Sequence, residues 1–80
     1  MGEVIITDGA AHKLLTVDVA TAIARHTRED WGNLDPEDKR LNDEAVKKGG
    51  PLTSIYRDSK GVKFYVITEA NRSATTVLLP

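Results

Sequence analysis

The stretch DPEDKRLNDEAVKKGGPLTSIYRDSKGVKFYVIT, residues 35–68, holds the change of period that decides the fold. Its first half has helix punctuation at both ends. Asp35 stands at the N-cap position, Pro36 suits the first helical residue, and Glu37 and Asp38 make an acidic first turn. Lys47 and Lys48 occupy the last turn, and Gly49-Gly50 stops the helix. Asp43 with Lys47, and Glu44 with Lys48, stand four residues apart, the spacing of helix ion pairs. Only Leu41, Ala45 and Val46 are apolar in this helix, which predicts a surface element with a narrow buried edge. The second half reads as two strands, Leu52–Arg57 and Val62–Thr68, joined by the tight turn Asp58-Ser59-Lys60-Gly61.

Working outward, Glu69–Ser73 is a polar connection and Thr75–Leu79 a last strand rich in β-branched residues. On the other side, Arg28–Leu34 is a connection whose Trp31-Gly32 predicts packing. The helix before it, Val17–Thr27, is expected to be capped by Thr16 and carries a stripe at Val19, Ala22, Ile23 and His26. Ala10–Leu15 suits a short helical turn, and Glu3–Thr7 a first strand ended by Asp8-Gly9. The expected order is β-α-α-α-β-β-β in a single domain, residues 1–80. Strands gathered after helices predict an α+β fold, an antiparallel sheet with helices on one face, and a core including Ile23, Phe64 and Val66.

A chain of 80 residues buries only roughly 60–65% of the surface of its unfolded form, which disfavours a deep substrate cavity. It has no cysteine, so disulfides, thiolate metal sites and cysteine nucleophiles are excluded. A small unstapled domain with no visible signal peptide or membrane-length apolar run is expected in the cytoplasm. Residues 28–44 hold seven acids and three bases, a balance of −4, whereas residues 45–80 hold two acids and six bases, a balance of +4. Such a split does not describe a general nucleic-acid binder. It fits either a solvated helix beside solvated strands or a protein with an acidic face.

Signs of chemistry are few. His12 and His26 are the only histidines, and no third ligand accompanies His26 and Asp30, so neither metal nor cofactor is expected. His26 extends an apolar stripe and is expected to be half-buried with one hydrogen bond. The run from Asn33 to Glu44 looks superficially like a calcium loop, but Asp38 stands where such a loop needs glycine. Ser54, Ser59 and Ser73 lack a nucleophile elbow, and no glycine-rich phosphate loop is present. Arg57, Lys60 and Lys63 near Tyr56, Phe64 and Tyr65 could contact single-stranded nucleic acid, or simply solvate an edge. Trp31 either anchors its loop on the core, the favoured reading, or stands exposed as an interface hot spot.

His26, Asp30-Trp31-Gly32, Leu34-Asp35-Pro36-Glu37-Asp38-Lys39 and Asn42-Asp43 form a spaced pattern. It continues through Ile67-Thr68-Glu69-Ala70, Arg72-Ser73, Thr75-Thr76 and Leu78-Leu79-Pro80. It resembles a family of small, mostly uncharacterised proteins carried on bacterial plasmids, integrated elements and phages. The chain departs from it by a shorter stretch before Thr16 and by Glu29 where glycine is expected. The resemblance implies no enzyme activity. It implies an accessory protein of a mobile element, a context in which small proteins often block host defence complexes, as anti-CRISPR and anti-restriction proteins do. Carboxylates can then mimic phosphates in a basic groove. The leading expectation is a non-enzymatic protein-binding module, with Glu29, Asp30, Trp31, Glu37 and Asp38 as candidate partner-binding residues. A nucleic-acid-binding accessory protein using the basic hairpin, and a small enzyme of unknown chemistry, are the alternatives.

Overall fold

The computed structural model describes residues 2–80. Its elements are β1 (Glu3–Ile6), α1 (Asp8–Lys13), α2 (Thr16–Thr27), α3 (Pro36–Lys48), β2 (Leu52–Arg57), β3 (Lys63–Thr68) and β4 (Ala74–Leu78). The fold is α+β in the expected order. The strands form one sheet in the order β1-β4-β3-β2. The β2–β3 hairpin pairs Leu52 with Thr68 through Arg57 with Lys63, and β4 runs antiparallel to β3. β1, however, lies parallel to β4, with Glu3 beside Ala74 and Ile6 beside Val77. The sheet is therefore mixed, a correction to the antiparallel expectation. Strand composition carries no sign of direction. Here α1, α2 and α3 separate β1 from the hairpin and let it enter the sheet beside the last strand.

Strand alternation sorts the sheet into two unlike faces. Ser54, Tyr56, Phe64, Val66, Thr68, Thr75 and Val77 point to one face and are buried. Ala10 and Leu14 around α1, with Val19 and Ala22 of α2, complete the core on that side. Phe64 and Val66 lie in the core as expected, but Ile23 packs at its rim, only partly buried. Ala22, one residue before Ile23, is the more deeply buried of the two, at 3% exposure. The other face presents Thr53, Ile55, Tyr65, Ile67, Thr76 and Leu78, all only partly buried. α3 packs along the β2 side of the sheet rather than on the covered face.

The helix ends differ in detail from expectation. Thr7 caps α1, its hydroxyl accepting from the Ala10 N–H at 3.3 Å. α2 starts one residue early: the Leu15 carbonyl accepts from the Val19 N–H at 3.1 Å, so Leu15 is the N-cap and Thr16 is already helical. Asp35 does stand at the N-cap of α3, but its side chain makes no capping hydrogen bond.

Candidate protein-binding surfaces

The loop between α2 and α3, the centre of the expected acidic site, is largely occupied with building the β2 edge. Asp30 forms a two-bonded ion pair with Arg25, at 2.8 and 3.2 Å, and its carbonyl accepts from the Tyr56 hydroxyl at 2.5 Å. The pair holds the Asp30 carboxyl below the usual carboxylate range and raises the Arg25 guanidinium. Trp31 is buried at 4% exposure, stacks edge-on against His26 and donates Nε1–H to Asp43 at 3.0 Å. It is an anchor, and the exposed hot-spot alternative is corrected.

The backbone of this loop then pairs with Ile55. The Trp31 carbonyl accepts from the Ile55 N–H at 3.2 Å, and the Asn33 N–H donates to the Ile55 carbonyl at 2.8 Å. Gly32 makes this approach possible, since a Cβ there would lie 2.1 Å from the Ile55 oxygen. Two residues earlier on β2, Asn42 of α3 performs the same task with its side chain. Its amide donates to the Thr53 carbonyl at 2.6 Å and accepts from the Thr53 N–H at 3.2 Å.

The acids of α3 pair differently from the expected spacing. Arg40 binds Glu37 at 2.6 Å and Glu44 at 3.0 Å, while Asp43 serves Trp31, so neither carboxylate takes the lysine four residues on. Arg40 lies within reach of both carboxylates, one turn to either side. Contact with Arg40 keeps the Glu37 carboxyl below the usual range. Glu29, Asp30, Glu37 and Asp38 are all exposed, but Asp30 and Glu37 are taken up by Arg25 and Arg40. The candidate residues therefore do not form one continuous acidic patch of equals.

Beneath this loop lies a buried polar chain. His26 Nδ1 is 2.5 Å from Ser54 Oγ, its Nε2 is 2.8 Å from Thr68 Oγ1, and Thr68 bonds Thr75 at 2.8 Å. Both ring nitrogens are engaged, where one hydrogen bond was expected, and the ring is 3% exposed rather than half-buried. Burial pushes the His26 pKa down to about 4, so the ring is neutral near pH 7, one nitrogen donating and the other accepting. A cavity of about 210 Å³ opens beside it, lined by His26, Glu29, Trp31, Val46, Thr68 and Arg72 among others. Ser54 is not among its lining residues and has no exposed surface. The Arg72 guanidinium is held by carbonyls, donating to Gly50 at 2.6 Å and Ala45 at 3.0 Å. Among the described residues no group of three or more His, Asp or Glu is gathered as metal ligands would be. Among the described residues no helix is long and apolar enough to cross a membrane.

The uncovered face offers a different kind of surface. A groove of about 460 Å³ runs between α3 and this face, lined chiefly by Leu34, Leu41, Ala45, Pro51 and Ile55, with Asp38 at its border. Leu41 is 48% exposed. At the hairpin end Arg57 lies directly opposite Lys63, and the Lys63 ammonium stands 5.5 Å from the Tyr65 ring centre. Sequence reading missed Asn42, Arg72, Ser54 and Thr68 as organising residues. Asn42 did carry a signal: it is a polar residue on the apolar edge formed by Leu41, Ala45 and Val46. Comparison with protein-family models, with curated proteins and with solved structures gave no match.

Proposed function

We propose that this chain is a small non-enzymatic protein-binding module whose contact surface is the groove between α3 and the uncovered sheet face. The observation that supports this most is the exposed Leu41 beside Ile55 and Leu34, bordered by Asp38. An apolar slot with an acidic border suits a partner segment carrying an apolar side chain next to a base. Of the acids first considered, Glu37 and Asp38 are adjacent on the helix that walls this slot. Asp30 is taken up at the surface by Arg25, and the buried Trp31 anchors the loop. The resemblance to mobile-element proteins makes a basic, nucleic-acid-handling host complex the first partner class to test, with inhibition as the outcome.

A second reading has its own observation. Arg57 and Lys63 side by side, next to the Tyr65 ring, form the arrangement of cation and stacking platform that single-stranded nucleic acid uses. One experiment separates the two. The chain is used to capture proteins from host lysate, and the captured partner is purified and titrated against wild type, Leu41→Glu with Asp38→Lys, and Lys60→Glu with Lys63→Glu. Each variant is first checked for folding by circular dichroism. The groove reading expects at least a tenfold loss of affinity in the first variant and little change in the second. The reverse pattern, with nuclease-sensitive capture, transfers the function to the hairpin.

A further inference from the structure

We infer that β1 is a self-pairing edge, and that two copies of this chain associate by antiparallel addition of β1 to β1, making one continuous sheet of eight strands. Among the described residues β1 is bonded on one side only. Glu3 and Thr7 donate their N–H groups to Ser73 and Val77 of the β4 side, each at 3.1 Å. By strand alternation the backbone groups of Val4 and Ile6 face outward. The side chains beside them are also uncovered: Val4, Ile5 and Ile6 are 42%, 41% and 42% exposed. β1 carries neither lysine nor proline, the residues that commonly blunt a free edge.

The opposite edge is closed. On β2, Thr53 is paired by the Asn42 amide, and Ile55 by the backbone of Trp31 and Asn33. By alternation only Arg57, at the end of β2, keeps outward backbone groups without a partner, too few to seat a β1 strand from another copy, so head-to-tail growth is disfavoured. Within this sheet the remaining self-pairing is β1 on β1, which closes after two copies. A two-fold axis at Ile5 gives a consistent register. Val4 then faces Ile6 of the second copy, and each such pair exchanges two backbone hydrogen bonds. Ile5 meets Ile5 of the second copy at the non-hydrogen-bonded site, where side chains come closest. Glu3, the only charge on the strand, faces Thr7 of the second copy, whereas parallel pairing in register would set glutamate against glutamate. A four-residue strand pair buries less than the roughly 1,200 Å² of stable complexes, so the dimer is reversible. It leaves the α3 groove at the far edge free.

Sedimentation velocity on the intact chain, from dilute to near-millimolar, tests this. The average mass should rise toward twofold, and exchange of the Val4 and Ile6 amides should slow with concentration. Val4→Pro removes an outward N–H, and Ile6→Lys places a charge at the seam; each, if folded, should abolish the mass increase. A mass that stays monomeric, a dimer that survives either folded variant, or Val4 and Ile6 exchange that ignores concentration would overturn the proposal. The exchange measurement needs no variant, so the idea remains testable if both substitutions unfold the chain.

Discussion

Glu29 has a φ of 66°, in the left-handed region that glycine enters freely and other residues rarely do. Glycine would adopt this conformation without strain. Glu29→Gly should therefore stabilise the domain by about 1 kcal/mol, read as a rise in the urea midpoint. An unchanged or lower midpoint would mean that the carboxylate makes up the difference elsewhere. At His26 the sign runs with pH. Its folded pKa of about 4 lies below the ordinary 6.5, so the unfolded chain takes up a proton first. The stability it contributes is complete above about pH 6.5 and is lost as pH falls toward 4, a change of roughly 3 kcal/mol. Unfolding followed between pH 7 and 4.5 should show this slope, and His26→Gln, where folded, should flatten it. Asp30 and Glu37, with lowered carboxyl pKa values, act in a separate and more acidic window.

Among the elements, α3 and β2 are joined through one side chain, and that junction is measurable. Asn42→Ala leaves the Thr53 N–H and carbonyl without their partner in a part-buried seam. A loss of about 2 kcal/mol is expected. Asp35→Ala should do much less, a few tenths of a kcal/mol from the helix dipole, because no capping bond is lost. Denaturation of both variants gives the ranking directly, and equal losses would contradict it. The order of the elements and the β2–β3 hairpin were legible because helix punctuation and strand alternation are local properties. Asp35-Pro36 and Gly49-Gly50 bound α3 where the sequence placed them. The direction of β1 was not legible, since Val4-Ile5-Ile6 suits either pairing. Nor were the partners of Asp43 and Asp30, because the lysine four residues after Asp43 does not reveal a tryptophan twelve residues back, nor does the histidine four before Asp30 reveal an arginine five back. The candidate site was legible only in part: the loop was recognised as packed, but its acids were taken as free when Asp30, though exposed, is held by Arg25.

For the molecule as a whole, β1 is joined last in sequence terms. Glu3 pairs with Ala74, a separation that spans nearly the whole chain and carries the largest loop-closure entropy in the sheet. The local hairpin and α2 are expected to form the folding nucleus, and β1 to dock after it. Ile5→Ala should accordingly speed unfolding and hardly slow folding in a denaturant chevron. A matching fall in the folding rate would place β1 in the nucleus instead. The parallel pairing also has a consequence during synthesis. A ribosome makes Val4, Ile5 and Ile6 well before Ala74 to Leu78, so the growing chain carries a sticky, partnerless strand until β4 has been made. Stalled or truncated products lacking residues 74–78 would keep that strand bare, and they are the species a chaperone or protease would meet first.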